Sequence, residues 1–196
     1  MSKYYEWLLL IKRILTAIDG SIPSLKASTF AIDMAKRFDA ELIVLHVIDP
    51  RYKEIEIAIS PRPGKLKEIT KRAMEEGEKI VETVKQKATE MKVNVKTDVI
   101  SDFTSITKDI LEYAKVNKVD IIVVGSRGMT GFKKLLVGSV ATGVVTYSDC
   151  PVVVVKWASL IMHQFYRQTQ EQVLFVVAIS ILKALNVWTL SDPFLW

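Results

Sequence analysis

The sequence predicts an α/β fold: an open, five-stranded parallel sheet with helices on both faces, followed by a hydrophobic C-terminal helical extension. Three observations carry this reading. Short apolar runs recur without polar alternation, the pattern of strands buried on both faces. Between them lie segments whose apolar residues repeat at helical spacing. The two kinds alternate from residue 12 to 156 as β-α-β-α-β-α-β-α-β, and right-handed crossovers turn that order into a doubly wound sheet.

Ile14 to Ile18 is the first strand, closed by the turn residues Asp19-Gly20-Ser21. Ala27, Phe30, Ala31, Met34, Ala35 and Phe38 form the apolar face of a helix for which Ser24 is the candidate N-cap. Leu42 to Val47 is the second strand, ending at Asp49-Pro50, and a loop with Pro61, Pro63 and Gly64 follows. From Lys65 to Lys92 a long amphipathic helix is expected, with Gly77 as a soft spot. Val93, Val95 and Val99 mark the third strand, Ile106 to Ala114 a helix, and Ile121 to Val124 the fourth strand. Gly138 to Tyr147 is a short helix and Pro151 to Val155 the fifth strand.

Length and composition narrow the class. The 196 residues suit one average domain with an extension rather than two domains. With 25% charged and 49% hydrophobic residues, disordered and fibrous classes drop out. The single cysteine, Cys150, excludes an internal disulfide framework and suits a reducing compartment; we read it as inert packing. The +5 net charge is interleaved with acidic residues, so it implies mild attraction for phosphates rather than a nucleic-acid surface. Charge becomes sparse after Lys156, which divides the chain into an N-terminal extension (1–11), a central domain (12–156) and a hydrophobic extension (157–196).

Doubly wound sheets take ligands beyond the carboxyl ends of their strands, where strand order reverses. The segment after the fourth strand is suited to that position. Gly125 and Gly128 allow tight turning and close approach of backbone to a ligand. Gly138 and Ser139 stand at a helix start, where unbonded N–H groups and the positive dipole end point outward. The Ser139 hydroxyl adds a donor, or caps its helix, and Arg127, Lys133 and Lys134 supply positive charge. Together these make a cradle for a di- or triphosphate. It is not a Walker loop, since no Gly-Lys-Ser/Thr follows, nor a dinucleotide fingerprint, which belongs after the first strand. His46 reads as a packed, hydrogen-bonded strand residue rather than a base.

The spacing of Gly125, Gly128 and Gly138-Ser139 resembles the nucleotide-binding signature of the universal stress protein family, ATP-binding branch. Ile14-Leu15-Thr16-Ala17-Ile18-Asp19-Gly20-Ser21, Leu45-His46-Val47-Ile48-Asp49 and Pro151 to Val155 are similar to the same family. The resemblance implies ATP as ligand, with Mg²⁺ as a candidate companion. It implies Ala17 and Asp19 at the adenosine end, Val47 against adenine, and Gly125, Gly128, Gly138 and Ser139 around the phosphates. It further implies strand order 3-2-1-4-5 and a homodimer paired through the last strand. Ser101-Asp102-Phe103-Thr104 departs from the Gly-Pro often found after the third strand.

The expected function is that of a cytoplasmic, ATP-binding stress-response module whose bound state changes its partner contacts, without nucleic-acid binding. No catalytic constellation emerges, so any enzymatic activity would be slow ATP hydrolysis or self-phosphorylation. The competing class is a nucleotide-free scaffold docking to proteins or membrane through its tail. Val173 to Leu182 is apolar but stops at Lys183, short of the roughly twenty residues a span needs. An extra packed helix, an interfacial membrane helix, a true span and a segment outside the functional domain all remain open for residues 157–196.

Overall fold

The computed structural model describes residues 11–49, 65–101, 105–128 and 137–156. Five strands form one parallel sheet: β1 (Arg13–Ala17), β2 (Glu41–Val47), β3 (Val95–Ile100), β4 (Ile121–Gly125) and β5 (Val152–Val155). Their order is β3-β2-β1-β4-β5, as the family resemblance implied. Four helices connect them: α1 (Ile22–Phe38), α2 (Lys65–Glu90), α3 (Ile106–Val116) and α4 (Ser139–Tyr147). The N-terminal extension up to residue 10, the Pro61–Gly64 loop, residues 102–104, Lys133, Lys134 and the 157–196 extension lie outside the described residues.

The uninterrupted apolar runs have a direct cause: the sheet has a core on each face. Ile14, Leu42, Val44 and Val123 pack with Ala27 and Ala31 of α1 and Val81, Val84 and Ala88 of α2. Leu15, Ile43, Leu45, Ile122 and Val124 pack on the opposite face with Ile110 and Ala114 of α3 and Ala141 and Val144 of α4. Ile14 and Leu15 are neighbours in sequence, point to opposite faces, and are both fully buried. At the amino edge, the Asp120 carboxylate accepts the Lys12 and Arg13 amides, each at 2.8 Å, fixing the entry of β1 against β4.

Several boundaries differ from the sequence reading. The N-cap of α1 is Ser21, whose hydroxyl accepts the Ser24 amide, not Ser24 itself. Pro23 lies in the first turn, where its missing N–H costs nothing, so the helix begins one residue before it. Val93 precedes β3 as a buried loop residue. Gly77 is not a weak point but a close approach: a Cβ there would stand 2.7 Å from both His46 Cδ2 and Val99 Cγ1. The helix lies close on the sheet because this residue has no side chain.

Candidate functional site

The strand order reverses at β1. The chain runs from β1 outward through β2 to β3, then returns across the sheet to β4 and β5. The crevice beyond the carboxyl ends of β1 and β4 is therefore the switch point, the place such sheets reserve for ligands. Ala17 ends β1 there, paired with Leu45 on one side and Val124 on the other.

Asp19 follows in a tightly built turn. Its Oδ1 accepts the Ser21 amide at 3.0 Å, an Asx turn that sequence reasoning could have read from Asp-Gly-Ser. Its own amide donates to Ser24 Oγ at 3.3 Å, and Ser24 Oγ donates to the Ser21 carbonyl at 2.9 Å. Gly20 has φ +81, a left-handed backbone that glycine adopts without penalty. Ser21 and Ser24, assigned no site role from sequence beyond a cap, are thus the residues that shape the Asp19 turn.

The glycines of the β4–α4 connection have different structural causes. A Cβ on Gly128 would lie 2.7 Å from Asp19 Oδ2, so the backbone here directly faces that carboxylate. A Cβ on Gly125 would lie 3.0 Å from the Pro23 carbonyl, so this glycine lets β4 pass the first turn of α1. That is a packing requirement, distinct from the ligand approach read from the sequence. Gly138 is under no such pressure, since a Cβ would meet Ser126 O at 3.6 Å, an ordinary contact.

Gly138 is the N-cap of α4, with no side-chain cap bond, and Ser139 is the first helical residue rather than the cap. The Gly138 amide is already engaged, donating to the Ser126 carbonyl at 2.8 Å. The amides free to serve a ligand are therefore others. Among the described residues, nothing accepts from the amides of Arg127, Gly128, Ser139, Val140 or Ala141. Neither α1 nor α4 has an acidic residue in its first turn; the Asp19 carboxylate, bonded to the Ser21 amide, stands against the positive end of α1, while the first turn of α4 carries no such charge. Arg127 is half-buried between Ser126 and Gly128.

The chain thus brings Ala17, Asp19, Gly125, Arg127, Gly128, Gly138 and Ser139 to one edge of the sheet. Val47 stands one strand away, buried at the end of β2 and paired with Ile100. The arrangement offers a carboxylate facing the Gly128 backbone and amides without a partner among the described residues, which suits a ligand with hydroxyls at one end and anionic oxygens at the other. His46 is packed and hydrogen-bonded, its Nδ1 2.9 Å from the Ile18 carbonyl. Burial pushes the Cys150 thiol up, partly offset by its hydrogen bond with Ser148, which fits inert packing.

Two other concavities lie elsewhere. One, of about 550 Å³, runs along the charged outer face of α2 beside Glu75, Glu78 and Glu82. The second, of about 380 Å³, lies between Ser105, Leu111 and Tyr147.

Comparison with known proteins agrees with this geometry. The model of the universal stress protein family matches residues 10–156. Universal stress protein MJ0531 of Methanocaldococcus jannaschii is 37% identical over 147 residues, covering 75% of this chain and 83% of its own length. Universal stress protein YxiE of Bacillus subtilis is 38% identical over 154 residues, covering 75% of this chain and 100% of its own length. Among solved structures, the protein MJ0577 superposes with a TM-score of 0.67 at 29% identity, covering 76% of this chain and 99% of that one. An Arabidopsis thaliana family protein with AMP bound shares the fold, with a TM-score of 0.54 at 19% identity over 76% of this chain and 93% of that one. The sheet order, the strand ends that meet at the switch point and these matches converge: the chain belongs to the universal stress protein family.

Proposed function

We propose that this protein binds ATP in the crevice between the carboxyl ends of β1 and β4, and acts in stress response through partner contacts that depend on the bound nucleotide. The observation that carries the reading is the pairing of Asp19 with Gly128, where a single added Cβ would sit 2.7 Å from the carboxylate. It supports a cradle that a side chain would fill. The donor set fits the ligand: a carboxylate for ribose hydroxyls, and amides at an uncapped helix start for phosphates. The AMP bound by the Arabidopsis family member is consistent with an adenine nucleotide.

In this reading Asp19 Oδ2 accepts from the ribose, Ala17 and Val47 flank the adenosine, and the Arg127 guanidinium offsets phosphate charge. The amides of Gly128, Ser139 and Val140 and the Ser139 hydroxyl donate to phosphate oxygens. Gly125 and Gly138 shape the backbone that presents them. ATP supplies the anionic chain and the ring that these groups recognise, and no catalytic residue is assigned. Mg²⁺ would accompany the phosphates. The same proposal includes a cytoplasmic homodimer paired through β5, supported by the position of that strand at a sheet edge. Among the described residues, no helix is long and apolar enough to cross a membrane.

The test begins with the full chain, natively purified and heat-extracted, with mass identification of any released nucleotide. Titration with ATP, with and without Mg²⁺, then compares wild type with Asp19→Ala and Gly128→Val. Each variant is expected to weaken binding about tenfold or more, the scale of one lost charge-assisted contact. Absence of binding by the wild type at millimolar ATP overturns the proposal.

A further inference from the structure

The Ile18–Asp19 peptide is held from both sides. Its N–H donates to Ser24 Oγ of α1 at 3.3 Å. Its carbonyl lies 2.9 Å from His46 Nδ1, and because a carbonyl can only accept, Nδ1 must carry the hydrogen. The β1–β2 register ends at Ala17 and Leu45, followed by one further bond from the Ile18 amide to the Leu45 carbonyl at 2.9 Å. The imidazole therefore takes over where the strand ladder stops. Its seat is made by two other elements: Gly77 of α2, where a Cβ would stand 2.7 Å from His46 Cδ2, and Val99 of β3, whose Cγ1 would lie 2.7 Å from that same Cβ. Locking this peptide plane fixes the N–Cα axis of Asp19, and the bond from the Ser21 amide to Oδ1 at 3.0 Å then holds the direction in which its Cα–Cβ bond leaves the backbone. That direction brings Oδ2 to the Gly128 backbone.

We infer that His46 is a positioning residue for the nucleotide site: it holds the Ile18–Asp19 peptide from beneath and sets the aim of the Asp19 carboxylate without touching ligand. The inference deepens the proposed function and rests on it for its binding consequence. Its structural half, the fixing of the turn by the ring N–H, stands apart from any ligand.

Asparagine and leucine separate the donor from the bulk. The Asn Nδ2–H₂ group occupies the same side-chain position as Nδ1, whereas leucine fills similar space without a donor. ATP affinity and the exchange rates of the Asp19 and Ser21 amides in the free protein are measured for the full chain as wild type, His46→Asn and His46→Leu. His46→Leu is expected to lose about five- to tenfold in affinity, the scale of one hydrogen bond, and to exchange faster at both amides. His46→Asn is expected to recover both within about twofold. Ser24→Ala, which releases the other side of the same peptide, is expected to reproduce the leucine result and keeps the test decisive should His46→Leu not fold. Equal behaviour of the Asn and Leu variants, or unchanged amide exchange in His46→Leu, overturns the inference. If the wild type binds no ATP, the proposed function falls, and the amide exchange alone decides whether His46 positions the turn.

Discussion

Replacing Gly77 with alanine opposes two effects of comparable size. In a helix interior alanine is favoured over glycine by about 0.8–1.0 kcal/mol, because glycine loses more backbone freedom on folding. An exposed glycine would therefore be an easy site for stabilisation. Gly77 is buried in α2, however, and the new Cβ would lie 2.7 Å from His46 Cδ2 and from Val99 Cγ1, closer than carbon atoms can approach. Neither neighbour is a free chain end: the ring is tied to the Ile18 carbonyl and Val99 belongs to β3. Overpacking of this kind costs about 1–3 kcal/mol, and displacing the ring adds about 1 kcal/mol for its hydrogen bond. The clash wins, and Gly77→Ala should lower unfolding stability by a net ~1–3 kcal/mol. Urea denaturation with the slope held common gives the difference directly. An increase of ~1 kcal/mol would show that α2 rises off the sheet freely, which would refute the tight seating of His46.

Thr16 is fully buried in the central strand and its Oγ1 has no hydrogen-bond partner among the described residues. Thr16→Val, of similar shape, should stabilise by about 1–2 kcal/mol and raise Tm by roughly 2–8 °C, read by thermal unfolding. Tyr113 donates to Asp98 Oδ2 at 3.1 Å, and burial followed by the Asp98 charge pushes its phenol well above the ordinary range. A phenol held neutral by the fold contributes stability that is complete below about pH 10 and is lost as pH rises above it. Urea midpoints of the wild type should therefore fall more steeply from about pH 10 upward than those of Tyr113→Phe. Lys92, in the turn two residues beyond α2, has φ 60, a left-handed position where glycine is favoured. Lys92→Gly should gain about 0.5–1 kcal/mol in the same denaturation assay.

The elements were legible because their signals are local and redundant. Ile14-Leu15 and Leu42 to Leu45 must be apolar on both faces, since α1 and α2 cover one side and α3 and α4 the other. Helix ends were less legible. α1, α2 and α3 are followed by Asp39, Lys92 and Lys118 with φ of 51, 60 and 50, so the glycine that usually marks a helix stop is missing. The cap of α1 was misread because Ser21 and Ser24 are both good capping residues. Only the geometry shows that Ser21 accepts the amide while Ser24 turns back to its carbonyl. In the site, Gly128 follows from the strand–glycine–helix pattern and Asp19 from the family resemblance, but nothing local reveals that they face each other, because that depends on β1 lying beside β4. Gly125 shows the converse: the sequence reads it as room for a ligand, whereas the structure sets it against the first turn of α1, a contact between segments distant in sequence.

The same comparison shows how the two halves of the crevice differ in kind. The Asp19 side is over-determined. Ile18 is bonded through both its amide and its carbonyl, Asp19 through its amide and Oδ1, and Gly20 is set in a conformation that few residues share. The facing side is held at its base. The Gly138 amide bonds the Ser126 carbonyl, and the Ser126 amide bonds Val155 of β5. Those two bonds fix the end of β4 against the start of α4 whatever sequence joins them. A ligand that bridged the two sides would meet a fixed carboxylate opposite amides with no partner among the described residues, and its anionic end would supply the acceptors they lack. For the proposed nucleotide, the energetic gain would lie mainly on the Gly128 and Ser139 side, and Asp19 would contribute chiefly by being aimed before the ligand arrives.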